Sequence, residues 1–225
     1  MIYEYLVGSH GRVQAAVCFQ LTDFNEKVAN NSFGVAMVVT LDLGSADARA
    51  TDAAMEPHGL PRRPVGQGMT AHDDSYPTFV VEVAAAETVS SLHNLAPTFF
   101  NARTTIQVYL AVKVWEQRDD GTFAALALLY LRSSRTPISP VQAISFGTGP
   151  IHANALSSMP QAIMSTPISG VIDGFGGQLC NQANLEAFQI SIPVADLYHG
   201  VPGGVPVGLP SNLLIDLYKV QRVAY

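Results

Sequence analysis

From Ser9 onward apolar residues recur at Val13, Val17, Leu21, Phe24 and Val28, with spacings of four, four, three and four. That period predicts a helix over residues 10–28 with Ser9 as its cap. Val35 to Leu43 is rich in β-branched residues and reads as a strand. Over residues 45–70 the pattern is lost to Pro, Gly, Asp and Ala, which predicts a long irregular connection. Thr78 to Ala84 is an almost unbroken apolar run and predicts a buried strand with Glu82 inside it. Val89, Leu92, Leu95 and Phe99 then mark one side of a helix over residues 87–101, whose last turn Pro97 interrupts. The runs Ile106 to Glu116 and Thr122 to Arg132 predict a hairpin turned at Asp119-Asp120-Gly121. Alternation places Ile106, Val108, Leu110, Val112 and Val114 on one face and Tyr109, Ala111, Lys113 and Trp115 on the other. Beyond Pro140 the chain turns Gly- and Pro-rich, with a short helix near 154–163, a strand at 187–192 and a last strand at 213–220.

Composition changes this picture in two ways. With 225 residues, 48% hydrophobic and 13% charged, the chain can bury a large core, which excludes a disordered or coiled-coil protein. A globular domain carries about 25% charged residues, so much of this surface is neutral and part of it reads as a subunit interface. The expectation is one domain, an αβ core over 1–140 with a Gly/Pro-rich extension over 141–225 packed on it. A homodimer contact is expected through the apolar loop from Val201 to Pro210.

Twelve basic residues against eighteen acidic ones, net charge −6, lack the footprint of a nucleic-acid binder, so such a partner is not favoured by charge. The longest apolar stretch, Phe123 to Leu131, is far short of the ~20 residues that span a bilayer, so no membrane association is expected. The opening MIYEYLVGSH lacks the basic and apolar regions of a signal peptide. Cys18 and Cys180 are too few for a disulfide scaffold, which leads to an intracellular expectation, cytoplasmic or nuclear.

Glu82 is the most informative residue, because a carboxylate in an apolar strand is costly unless it is paired, hydrogen-bonded or metal-bound. Either it is, or descends from, a metal ligand, or it pairs with a buried Arg, caps a turn or faces water at an edge. Six histidines show no HxH or HExxH spacing, so zinc would need ligands from distant segments. His10 beside Arg12 reads as an anion contact or cap at a helix start, and Cys18 as a small buried apolar residue. Gly170 to Gly177 matches neither phosphate-loop pattern and reads as a turn.

Three segments carry a resemblance: Ser9-His10-Gly11-Arg12-Val13-Gln14, Pro77-Thr78-Phe79-Val80-Val81-Glu82-Val83, and Ala86-Glu87-Thr88. Ile106 to Val114, Ile144-Ser145-Phe146-Gly147-Thr148 and Leu214-Ile215-Asp216-Leu217 extend it over most of the chain. Together they make the chain similar to the bacterial restriction-endonuclease-like proteins of the PD-(D/E)XK nuclease superfamily, and especially to their fungal relatives. The resemblance implies a mixed α/β fold, a nuclease-like core with a mixed central sheet flanked by helices, ordered helix-strand-strand-helix-hairpin.

It also implies a site where one Asp, one Glu and a Lys converge on Mg²⁺. The carboxylates would hold the hard cation and the Lys would support developing charge. Glu82 matches the glutamate. The aspartate position falls on Val65 or, in a variant pattern, on Thr78, and neither is a good ligand; Asp73 and Asp74 are the remaining metal candidates beside Glu82. The only lysines are Lys27, Lys113 and Lys219, and Ala84 stands two residues after Glu82, so Lys113 is the catalytic candidate with Glu82. Its alternative is a side chain whose stem covers aromatic surface while its head reaches water. With two of three functions displaced, the expected protein is a degenerate endonuclease-like one without efficient catalysis, a binding or self-associating module. The alternative is an active Mg²⁺-dependent endonuclease rebuilt around Glu82.

Overall fold

In a computed structural model, which describes residues 2–44, 48–69, 72–171 and 178–225, and of 2–7 the backbone only, helix α1 runs Ile2–Lys27. Val13, Val17 and Leu21 are fully buried along it, as their period predicts, while Val28 lies beyond its end and is exposed. Ser9 sits inside α1 and is not its cap, because the residues before it continue the helix.

Strand β1 (Phe33–Asp42) pairs antiparallel with β2 (Ala48–Pro57) from Phe33↔Pro57 to Asp42↔Ala48. Strand β2 occupies ten residues of the irregular connection expected over 45–70. Its alanines have weak strand propensity, but pairing with β1 lets Ala53 and Met55 enter one core and Ala54 the other.

Strand β3 (Phe79–Ala84) is antiparallel to β2 and parallel to β4 (Val108–Val114), as a helical crossover allows. That crossover is two short helices, α2 (Val89–His93) and α3 (Leu95–Phe99), where one was expected. Thr88 caps α2, its hydroxyl accepting from Ser91 N at 3.0 Å. β4 and β5 (Ala124–Leu131) form the predicted hairpin. Val108, Leu110, Val112 and Val114 face one core, and Tyr109 and Ala111 the other; Ile106, before the strand begins, joins the second group.

Strand β6 (Gln142–Gly147) pairs antiparallel with β5, and β7 (Ile168–Gly170) parallel with β6. The result is a seven-stranded mixed sheet in strict chain order. Neither of these last strands was anticipated, since the Gly and Pro around them mask runs as short as QAISFG. The single helix expected near 154–163 is split at Pro160 into α4 (Ala153–Ser157) and α5 (Gln161–Met164).

Strands β8 (Gln189–Pro193) and β9 (Asn212–Asp216) form a separate two-stranded sheet, with α6 (Val194–Leu197) between them in sequence. The expected last strand at 213–220 ends at Asp216, whose carboxylate accepts from Tyr218 N at 3.0 Å and starts helix α7 (Leu217–Ala224). Helices α1 and α7 and the small sheet cover one face of the large sheet; α2, α3 and α5 cover the other. Among the described residues no helix is long and apolar enough to cross a membrane. The loop expected at Gly170 to Gly177 falls largely on residues 172–177, outside the described residues.

Candidate functional site

β2 and β3 part company beside Glu82. Their ladder runs from Met55↔Phe79 to Ala53↔Val81 and then stops. The next amide on that edge, Val83 N, donates instead to Asp52 Oδ2 at 2.7 Å, so a side-chain carboxylate stands where a strand carbonyl would otherwise be. Asp52 Oδ1 accepts from His10 Nε2 at 2.9 Å, and the Asp52 carbonyl accepts from Gln14 Nε2 at 2.6 Å. Helix α1 is thereby tied to the opening between the strands. His10 acts inside the helix as a partner of Asp52, not at a helix start as its sequence position suggested.

Glu82 is 5% exposed and lies on the face shared with Val80, Ala84 and Tyr109. Arg49 reaches it from β2 with both arms of its fork: Nε donates to Oε1 and Nη2 to Oε2, each at 3.2 Å. All four carboxylate oxygens of Asp52 and Glu82 therefore have protein donors. Burial pushes Glu82 up to about 7 against the downward pull of Arg49, and the nearby charges of Asp52 and Glu87 add to the rise. His10 is raised, first by its hydrogen bond to Asp52.

Lys113 stands opposite Ala84 in the β3–β4 register, beside the position at which the resemblance expects a lysine. Its side chain borders the surface cleft between Glu87 and Trp115. The side chain is buried, Nζ donates to the Ala85 carbonyl, and the ammonium lies 5.8 Å from the Trp115 ring centroid. Burial lowers its proton affinity, with Glu87 and Glu116 partly opposing that.

The other candidates lie in different settings. Asp73, at φ +58°, closes its own loop by accepting from Gly66 N at 2.7 Å and Gly68 N at 3.4 Å. Asp74 acts electrostatically on Glu56, and neither aspartate is among the charges acting on Glu82. Val65 is 93% exposed, and the Thr78 hydroxyl is spent on the Leu197 carbonyl at 2.7 Å. Cys18 is half-buried, less enclosed than expected, and burial pushes Cys180 up to about 12. Among the described residues no group of three or more His, Cys, Asp or Glu is arranged to hold a metal ion. Arg49 and Asp52 escaped the sequence reading because they lie in the segment read as irregular, whose alanine-rich run carries no strand period of its own.

No family model matches the chain, and no curated protein matches it. Among solved structures it is similar to a candidate nuclease belonging to DUF820 from Anabaena variabilis, at 10% identity and a TM-score of 0.40, covering 70% of this chain and 75% of that one. A likeness of that size carries no argument about this chain's chemistry.

Proposed function

We propose that this is a nuclease-like protein of the PD-(D/E)XK type in which Arg49 has taken over the place of a metal ion, leaving a binding module without efficient catalysis. The observation that carries the reading is the two-armed contact of Arg49 with both oxygens of Glu82. A hard divalent cation needs carboxylate oxygens with lone pairs to give. Here the Glu82 oxygens face a guanidinium, one Asp52 oxygen faces a backbone N–H and the other His10. The residues present do not fit Mg²⁺ in this arrangement, and no catalytic step is derived through it. Arg49 supplies the positive charge that a buried carboxylate requires, and Lys113 is committed to Ala85.

A second reading, an active nuclease, is favoured by one feature: Asp52 and Glu82 come from neighbouring strands at the point where those strands separate. It requires Arg49 to swing away. The two readings separate on calorimetric titration of Mg²⁺ and Mn²⁺ into the wild type, Arg49→Ala and Glu82→Ala, with plasmid and single-strand cleavage assayed on the same samples. The expected result is no binding and no cleavage by the wild type, with Mn²⁺ binding appearing in Arg49→Ala. Wild-type cleavage that disappears in Glu82→Ala would overturn the proposal.

A further inference from the structure

Helices α1 and α7 lie side by side on the outside of the large sheet and run antiparallel. Gln20 exchanges hydrogen bonds with the backbone of Asp216 at one end, and Ser9 bonds Tyr225 at the other. Between them is a groove of about 540 Å³ whose lining combines apolar Ala15, Ala16, Phe19 and Val223 with Gln20 and the three cations Arg12, Lys219 and Arg222. Phe19 is 69% exposed, a large apolar ring left in water on a helix whose opposite stripe is fully buried.

The cations set the chemistry of whatever covers this floor. Three of the chain's twelve basic residues lie at this one groove, on a protein of net charge −6, and no acidic residue lines it. None of the three forms an ion pair or side-chain hydrogen bond among the described residues. Asp23, one turn beyond Phe19 on α1, is already neutralised by Lys27 at 2.5 Å.

We propose that the groove is a docking site for an amphipathic helix of a partner protein, with apolar residues on one face and Asp or Glu flanking them. Two parallel ridges with an apolar trough are completed by a third helix, whose carboxylates meet Arg12, Lys219 and Arg222 at the rim. A second copy of this chain fits less well: a two-fold contact through the groove sets these cations against their own copies. A nucleic acid would satisfy the cations and leave Phe19 and Val223 against sugar and phosphate. The proposal gives a location to the binding role proposed above, but it stands on α1 and α7 alone, so its failure and that of the Arg49 reading are told apart.

The test is a titration of the isotopically labelled full chain, followed by amide NMR. The probe is a synthetic peptide of about four helical turns, with Leu at i, i+3, i+4 and i+7 and Glu beside them; a sister peptide carries Lys in place of Glu. Saturable shifts confined to residues 15–20 and 219–223 are expected for the Glu peptide. Its affinity should fall at least tenfold in Arg222→Glu, in Phe19→Ser and on raising the salt. Both side chains are exposed, so the variants keep the fold. Absence of saturable shifts, shifts elsewhere on the protein, equal binding of the Lys peptide, stronger competition by a single-stranded oligonucleotide, or dimerisation that depends on Phe19 would each overturn it.

Discussion

Replacing Glu82 by Gln removes a buried ionisable group and keeps its shape, and the consequence can be worked from the site. Burial holds Glu82 at about 7 in the folded chain against an ordinary value of 4.5. Between those values the folded state keeps a proton that the unfolded state has released, so stability falls as the pH rises through this window. It is fully present below about 4.5 and lost above about 7. At about 1.4 kcal/mol per pH unit, the contribution is on the order of 3 kcal/mol. For a chain of this size that is roughly 6–12 °C in Tm. The assay is thermal unfolding followed by circular dichroism at closely spaced pH values from 4.5 to 8.5, wild type against Glu82→Gln. The two should lie close together at pH 4.5 and diverge progressively, the wild type becoming the less stable of the two as the pH rises. His10, raised first by its hydrogen bond to Asp52 and least by the charge of Glu82, adds stability that is also lost with rising pH and is largely common to the two proteins. Parallel curves across the range would refute the argument, because they would mean that Glu82 is already ionised in the fold and that Arg49 outweighs burial.

Arg49→Ala strips the partner from a buried carboxylate and, with Arg49 itself partly exposed, should cost about 1.5–3 kcal/mol at pH 8, read from urea midpoints, with a smaller loss at pH 5 where Glu82 is protonated. Asp52→Asn should bring the His10 titration, followed by ring-proton NMR, back down toward 6.5, since that carboxylate is the main cause of its rise. Asp216→Ala removes acceptors for Tyr218 N and Asn184 N together and should destabilise by about 2 kcal/mol in the same urea assay. Gly147→Ala places a Cβ 2.6 Å from the Phe123 carbonyl at φ +113°; a drop in Tm of several degrees is expected, and an unchanged Tm would contradict the β5–β6 geometry.

What was legible in the sequence follows from how strongly a segment's own pattern dictates its place. The buried stripe of α1, the strand holding Glu82 and the hairpin at Gly121 have period and turn chemistry of their own, and all three are found where expected. Strand β2 has neither, because its alanines gain their strand character only by pairing with β1, a tertiary effect. That one omission hid Arg49 and Asp52, and with them the contacts that decide how Glu82 is accommodated. A buried Arg partner for Glu82 was one of the readings open from its burial alone; Arg49 is an Arg partner, but its own side chain is only partly buried. The end of the chain misled for a different reason: Leu213 to Val220 is apolar enough for a strand throughout, and only Asp216 in its middle marks the change to a helix.

The strict ordering of the seven strands has a consequence for how the chain can assemble. Each rung joins segments that are neighbours in sequence, so the large sheet can grow one strand at a time without long loop closures. The two ends of the chain are joined differently: α1 lays its apolar stripe on the sheet, and Gln20 beside that stripe meets Asp216 at the start of α7 across 196 residues. That seam between the two ends is a closure of a different scale from the rungs of the sheet, although its entropic cost grows only as the logarithm of the loop it closes.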